Sequence, residues 1–330
     1  MVSADDMEYT SLGTTGIEVS RICLGCMSFG DPDWREWVLP PDEGHELLER
    51  ALELGVTFFD TANMYSKGES ERILGEALEG RRDETVVATK GYFQMNDDNP
   101  HSGGLSRKAL RQELAASVER LGGEPIDLYQ IHRMDDSVAP EHLMRTLDDA
   151  VRNGQVHHLG ASSMWARDLA RTQEAAERAG VEPFVSMQDH YNLVYREGER
   201  ETFPLAEREN LAVLPWSPLA RGYLARPDDE VGRTERGETE TRLYGHPYRE
   251  RGGPAVNDRI EQLATERGVK MAQIALAWVL SKEFVTSPIV GTTSVEHLEE
   301  AVEALTIDLS ASDVEWLEEP YEAVRVSGHV

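Results

Sequence analysis

The 330-residue sequence has only two cysteines, Cys23 and Cys26, so no disulfide framework can staple it and a reducing compartment is expected. No run approaches the roughly 18 uninterrupted apolar residues of a membrane span, and the opening MVSADDMEYT lacks a basic stretch followed by an apolar one. A soluble, unexported, cytoplasmic protein is the expectation, with no membrane partner. Also missing are a Gly-x-Gly-x-x-Gly after a strand, a Walker loop and a His-Glu-x-x-His, so neither a Rossmann domain nor a metal centre is indicated. Cys23 and Cys26 do form a Cys-x-x-Cys, but zinc would want two further ligands. They lie in an apolar, strand-like run, Ile22 to Met27, and read as small buried side chains.

Lysine is nearly as scarce as cysteine. Lys67, Lys90, Lys108, Lys270 and Lys282 are the only five among 33 basic residues, which face 61 acidic ones for a formal charge of −28. That balance argues against nucleic acid or an anionic membrane surface as a partner. An acidic, lysine-poor chain resembles the cytosolic proteins of salt-accumulating halophiles, where self-repulsion is screened because the Debye length is ~3 Å at ~1 M salt. An ordinary acidic enzyme explains the charge but not the missing lysines.

What the sequence does contain is alternation. After a hairpin expected in Tyr9 to Ser20, eight short apolar or β-branched runs are candidate strands: Arg21–Gly25, Thr57–Asp60, Thr85–Lys90, Ile126–His132, Val156–Ser162, Phe184–Gln188, Ala212–Trp216 and Val285–Val290. Helix-period segments separate them, including Glu43–Leu54, Glu69–Leu78, Ser106–Leu121, Glu141–Asn153, Ala166–Ala179 and Asn257–Arg267, with Ser106 an expected N-cap. Eight β units alternating with helices predict an α/β fold, a (β/α)8 TIM barrel with an N-terminal hairpin, as one domain over residues 1–330. Two connections, Tyr92–Leu105 and Gly222–Pro254, are too long for ordinary βα loops and should shape a site.

Barrels of this kind place functional groups at the C-terminal ends of their strands. The second, third and fourth runs end in Asp60, Lys90 and His132, three ionisable groups at equivalent positions. Singly, Asp60 could cap a turn, Lys90 could be a surface charge and His132 a core histidine; together they point to one mouth. A lysine held charged by an aspartate stabilises a phenolate, so a nearby tyrosine becomes a stronger general acid. Tyr65, on the loop leaving Asp60, is the best candidate, with Tyr92 and Tyr129 as second choices. Strand alternation should turn Tyr129 away from the face that carries His132.

These residues resemble the Asp–Tyr–Lys–His tetrad of the aldo/keto reductase superfamily, and the likeness runs through most of the chain. It includes Phe-Phe-Asp-Thr-Ala-Asn-Met-Tyr-Ser (58–66), Gly-Glu-Ser-Glu-Arg-Ile-Leu-Gly (68–75), Ala-Thr-Lys (88–90), Asp-Leu-Tyr-Gln-Ile-His-Arg (127–133), Gly-Ala-Ser-Ser-Met (160–164), Pro-Trp-Ser-Pro-Leu-Ala-Arg-Gly (215–222) and Ile-Val-Gly-Thr-Thr (289–293). Arg-Glu-Trp (35–37) and Tyr-Asn-Leu-Val-Tyr-Arg-Glu (191–197) are most similar to the bacterial, fungal and archaeal branch typified by YajO-like proteins, and the composition suggests a halophilic archaeal source.

The resemblance implies an NADP(H)-dependent oxidoreductase that reduces small aldehydes or ketones, sugar-derived ones among them. Asp60, Tyr65, Lys90 and His132 would be catalytic: Tyr65 donates the proton, Lys90 with Asp60 lowers its pKa, and His132 orients the carbonyl. Ser162, Ser163 and Gln188 would hold the nicotinamide carboxamide, Trp216 would stack on its ring, and Ser217, Leu219 and Arg221 would follow the pyrophosphate. Ser163 stands where the wider family commonly has asparagine. Gly291, Thr292, Thr293, His297 and Glu300 would meet the adenosine end. That segment holds no lysine or arginine, and Glu296 and Glu300 disfavour an extra dianion, so NAD(H) or dual use stays open. Trp34, Trp37, Tyr92, Phe93 and Arg133 would line the substrate pocket. The two tryptophans could equally be a local loop cluster, and Arg133 could pair with Asp135 or Asp136. A cofactor-binding regulatory protein of the potassium-channel β-subunit type is the alternative; the oligomeric state is left open.

One consequence of the composition is directly measurable. Dialysis from molar to low millimolar KCl should cost the protein its cooperative melting transition; an unchanged far-UV spectrum and melting curve would exclude an obligate salt adaptation.

Overall fold

The computed structural model describes residues 3–231, 237–239 and 247–329. Strands β1 (Tyr9–Ser11) and β2 (Glu18–Ser20) form an antiparallel hairpin. They are followed by β3 (Cys23–Gly25), β4 (Phe58–Asp60), β5 (Val86–Gly91), β6 (Ile126–Ile131), β7 (Val156–Ser162), β8 (Phe184–His190), β9 (Ala212–Trp216) and β10 (Ile289–Val290). These eight close in the order β10-β3-β4-β5-β6-β7-β8-β9 into a parallel barrel, the expected (β/α)8 architecture.

Period-two alternation sorts the side chains. Cys23, Phe58, Val86, Ala88, Leu128, Ala212, Leu214 and Ile289 pack together, whereas Phe59, Val87, Tyr129 and Ile131 join the larger core shared with the helices. Leu12 and Val19 of the hairpin are fully buried against the first group. The turn residue Gly13, at φ +57°, lies where a Cβ would come within 2.8 Å of Val185 O and 3.2 Å of Ala212 N. The hairpin is thereby seated at the starts of β8 and β9, and it plugs the floor of the barrel opposite the strand ends.

Five of the first six helices follow the sequence pattern, α1 (Pro41–Glu53), α2 (Glu69–Ala77), α3 (Arg107–Arg120), α4 (Pro140–Arg152) and α5 (Ala166–Ala179), while α6 (Thr202–Arg208) has no counterpart among the segments above. Ser106 caps α3 as expected, its Oγ accepting the Ala109 N–H at 3.2 Å. Then come α7 (Gly253–Arg267), α8 (Met271–Leu280), α9 (Val295–Glu303) and α10 (Ala311–Glu318). Helix α8, MAQIALAWVL, is apolar nearly all round and almost wholly buried, so it presents no amphipathic period to detect.

The last barrel strand is shorter than the expected Val285–Val290. The carbonyls of Val285 and Thr286 are taken by the Arg21 guanidinium at 2.6 and 2.8 Å, and Pro288 has no N–H to offer a ladder. β3 likewise starts at Cys23, whose N–H donates to Pro288 O, because the Arg21 N–H is taken by Glu8 O. Cys23 and Cys26 are both free and buried, and burial pushes both thiols well above the ordinary cysteine pKa. No helix among the described residues is long and apolar enough to cross a membrane. In the expected long loop Gly222–Pro254, positions 232–236 and 240–246 lie outside the described residues.

If the hairpin closes the barrel floor, Leu12→Ala should cost about 2–5 kcal/mol. Denaturant unfolding reads this directly, and a loss below about 0.5 kcal/mol, the scale of surface changes, would show that the plug carries no stability.

Candidate active site

Inward-facing positions turn from apolar to polar as the strands rise. Above Phe58 comes Asp60, above Val86 and Ala88 comes Lys90, and above Leu128 comes Gln130, followed at the strand end by His132. Lys90 has no exposed surface. Its Nζ donates to Asp60 Oδ1 at 2.5 Å, to Thr61 O at 2.8 Å and to Tyr65 Oη at 3.5 Å. The other Asp60 oxygen accepts Gln130 Nε2 at 3.0 Å and Gln188 Nε2 at 2.9 Å. Both carboxylate oxygens are therefore engaged, which fixes the side chain that holds the lysine.

The loop carrying Tyr65 is anchored to the barrel. Thr61 N–H donates to Ala88 O and Asn63 N–H to Lys90 O, while the Thr61 and Ser70 hydroxyls lie 2.8 Å apart. Beyond Tyr65, Ser66 and Lys67 adopt left-handed φ values of 47° and 53°, a costly turn that leads into α2. Behind the same strands, fully buried Glu71 of α2 accepts from Arg120 of α3 at 2.6 Å and from Thr89 at 2.6 Å. Thr89 points outward to that pair, while its neighbour Lys90 points into the barrel.

The electrostatics correct one expectation. Burial pushes the Tyr65 phenol above the ordinary tyrosine value; Lys90 pulls it down, Asp60 pushes it up again, and the net shift is upward rather than downward. Burial likewise opposes charge on Lys90, but Asp60 and Tyr65 together more than offset it and the ammonium is held above its ordinary pKa. His132 lies edge-on to Tyr65, with ring centroids 5.9 Å apart. Burial first, then the charges of Lys90 and Arg133, hold it well below the ordinary histidine value, so the ring is neutral. Its Nδ1 is buried without a hydrogen-bond partner. Tyr129 faces away from this group, as alternation required, and its buried hydroxyl also lacks a partner.

Of the residues expected to line a cofactor, several converge beside the tetrad. Trp216 Nε1 donates to Ser163 Oγ at 3.1 Å, and Ser162 Oγ lies 3.2 Å from Ser163 Oγ. The Gln188 amide nitrogen donates to Asp60 and to Gln130 Oε1. Ser217, Ala220, Arg221 and Gly222 all have positive φ, and within this tight turn the Ala220 N–H donates to Ser217 O and the Gly222 N–H to Leu219 O, both at 2.9 Å. An indole at the rim beside two hydroxyls is a flat face and a polar edge that suit a nicotinamide ring and its amide. Leu219 lies within the same turn, as the N-cap of its short helical segment.

Thr292 is buried, its carbonyl accepting from Ser28 Oγ at 2.6 Å and its own Oγ1 accepting the Ser294 N–H at 3.0 Å, while Gly291 sits against Gly25 of β3. Thr293 and His297 lie on the surface near the start of α9. Glu300, expected at the adenosine end, has its carboxylate 3.6 Å from the Lys270 ammonium. The expected pocket residues divide. Phe93 meets His132 edge-on at 4.9 Å and Tyr92 at 5.3 Å, and the Arg133 guanidinium sits 5.7 Å above the Phe93 ring. Arg133 donates to His132 O, whereas Asp135 is taken by Leu105 N–H and Ser137. Trp34 and Trp37 share Arg35, at 4.7 and 5.9 Å, within their own loop.

Sequence reasoning missed Gln130, although its parity with Leu128 and His132 was a usable signal. It also missed His190 and Tyr195, whose rings stack behind Trp216. Among the described residues no three potential metal ligands gather.

Residues 21–322 match the model of the aldo/keto reductase family. The chain is 40% identical to an aldo-keto reductase of Alternaria alternata, covering 99% of this chain and 95% of that one. It is 39% identical to versiconal hemiacetal acetate reductase of Aspergillus parasiticus, over 96% and 97% of the two chains, and 39% identical to an aldo-keto reductase of Metarhizium robertsii, over 99% and 95%. The chain belongs to the aldo/keto reductase family. It is an NAD(P)H-dependent oxidoreductase of a class that acts on small carbonyl compounds. The three relatives are fungal and lend no support to the YajO-like placement or to an archaeal source.

Removing one member of a buried pair strands the other's charge, at a cost of about 3–5 kcal/mol. Asp60→Leu should lose that much in denaturant unfolding, and adding Lys90→Met should restore most of it. A double variant no more stable than the single one would show that the stranded ammonium is not the cause.

Proposed function

We propose that the chain works as a single barrel domain, residues 1–330, that reduces small aldehydes and ketones to alcohols with NADP(H). The observation that carries this reading is the chain of contacts from Asp60 through Lys90 to Tyr65, with neutral His132 edge-on to the phenol. When bound, the reduced nicotinamide supplies a hydride to the carbonyl carbon. Tyr65 donates its phenolic proton to the carbonyl oxygen, and the Lys90 ammonium stabilises the phenolate left behind. Asp60 keeps Lys90 charged, and His132, with one N–H to give, orients the same oxygen. In the reverse direction the Tyr65 phenolate takes the proton back. Because the phenol's pKa lies above its ordinary value, Tyr65 is protonated throughout the neutral range, which suits reduction.

Ser162, Ser163 and the free carbonyl side of Gln188 are assigned to the carboxamide, Trp216 to the ring, and Ser217, Leu219 and Arg221 to the pyrophosphate. Gly291, Thr292, Thr293 and His297 are assigned to the adenosine end. Preference for NADP(H) is supported by Lys270, whose ammonium lies 3.6 Å from the Glu300 carboxylate and offsets that charge against a 2′-phosphate. Phe93 and Arg133, gathered at His132, are the substrate wall, and Arg133 suits an anionic or sugar-derived carbonyl. A cytoplasmic setting is supported by the two free cysteines, and salt adaptation by the charge and the scarcity of lysine. A binding-only role of the channel-subunit kind draws no support from the three relatives, and an assembled tetrad argues against it.

The test follows nicotinamide absorbance with NADPH and NADH against aldehydes, ketones and aldoses at high KCl. Turnover with NADPH is expected; tight binding without turnover on any substrate would favour the binding role. Tyr65→Phe should lower kcat by about 10²- to 10⁴-fold while leaving cofactor affinity intact, and near-normal turnover would remove Tyr65 as proton donor. Reduction should hold steady through neutral pH and fall only above the ordinary tyrosine range, whereas alcohol oxidation should rise with alkalinity.

A further inference from the structure

His190 and Trp216 are directly paired in register at the ends of β8 and β9, one step above the inward-facing Gln188 and Leu214. Their rings are parallel within 9°, with centroids 4.2 Å apart. On the other side of the imidazole lies Tyr195, 3.9 Å away and within 16° of parallel. Three flat rings therefore form one stack that ends in the indole at the barrel mouth.

The middle ring is held by hydrogen bonds of defined sense. Asn192 Oδ1 accepts the Val194 N–H at 3.1 Å, so Asn192 Nδ2 must be the donor toward His190 Nε2, at 3.2 Å. Tyr248 Oη also reaches Nε2, at 2.9 Å. His190 Nε2 accordingly accepts, and the ring is the neutral tautomer with its proton on Nδ1, where no partner is present. Burial, then the charges of Arg221 and His329, also keep the ring unprotonated. The same Asn192 amide donates to Ser217 O at 2.9 Å, joining the stack to the turn after β9. At the far end, Tyr195 Oη accepts the Ser327 N–H at 3.0 Å.

We propose that His190 and Tyr195 are positioning residues for the nicotinamide, acting through Trp216 by fixing the plane of its indole. The inference rests on the reading of Trp216 as the ring-stacking residue. An indole attached at a strand end has two free torsions, and ordering it on binding costs affinity. Here the Ser163 bond fixes the indole edge and the His190 ring fixes its plane before any cofactor arrives. The bonds from Asn192 and Tyr248 hold the edge of the ring at position 190, and its flat face is what bears on the indole.

The test measures NADPH affinity of the whole protein by equilibrium fluorescence titration, with near-UV circular dichroism of the cofactor-free protein as a second readout. An aromatic stack contributes about 0.5–1.5 kcal/mol, equivalent to about 2- to 13-fold in Kd. His190→Ala should weaken NADPH binding by that factor, reduce the near-UV signal as Trp216→Phe does, and raise the cofactor KM more than it changes kcat. His190→Phe, which keeps a flat ring, should restore affinity and signal. Equal affinity in wild type and His190→Ala would overturn the inference, as would a His190→Phe variant as weak as His190→Ala. Should His190→Ala not fold, Tyr195→Leu is read instead, with weaker NADPH binding expected and unchanged affinity overturning the proposal. A wild-type protein that binds neither NADPH nor NADH would fail the functional reading itself, a result distinguishable from these.

Discussion

An ammonium with no exposed surface survives in a protein interior only beside a carboxylate that is itself held in place. Lys90 meets this condition through Asp60, and Asp60 meets it because Gln130 and Gln188 occupy its second oxygen. Much of the barrel mouth follows from that arrangement. The lysine's third bond goes to the backbone of Thr61, which ties β4's exit loop to β5 and sets Tyr65 beside the charge. The cost of burying two charges is met by hydrogen bonds on every side, and the result is a local positive charge that water does not screen.

That charge acts against two other forces on its neighbours. On Tyr65 it opposes burial, and burial prevails, so the phenol keeps its proton. On His132 it adds to burial, and the imidazole is left neutral. Burial thus leaves a protonated phenol and an uncharged imidazole side by side, against the cation's pull on the first and with it on the second, the pairing that protonating a carbonyl oxygen requires. The second half of the mouth is built differently, from flat rings. The stack of Tyr195, His190 and Trp216 uses contact between faces, and it is secured at its edges by Ser163, Asn192 and Tyr248.

Much of this was legible in the linear chain. Short apolar runs separated by amphipathic segments specify strands and helices through local periodicity, and β7, β9 and α5 have the expected bounds. Asp60, Lys90 and His132 could be recognised because each closes an apolar run, a feature of chain order alone. Val156–Ser162 closes on Ser162 in the same way. The late start of β10 was not legible, because the carbonyls before it are taken by Arg21, more than 250 positions away in sequence. Helix α8 was hidden by its complete burial, which erases the polar face that periodicity detects.

The sequence by itself determined the alternating elements, the residues at the strand ends and the family to which the chain belongs. Only the tertiary structure decided which of those residues act on each other. Closing the barrel brought Gln188 to Asp60 across 128 positions and put His190 against Trp216. It also decided the sign of the Tyr65 shift, since the competition between a lysine's charge and desolvation depends on distance and burial, and neither is written in chain order.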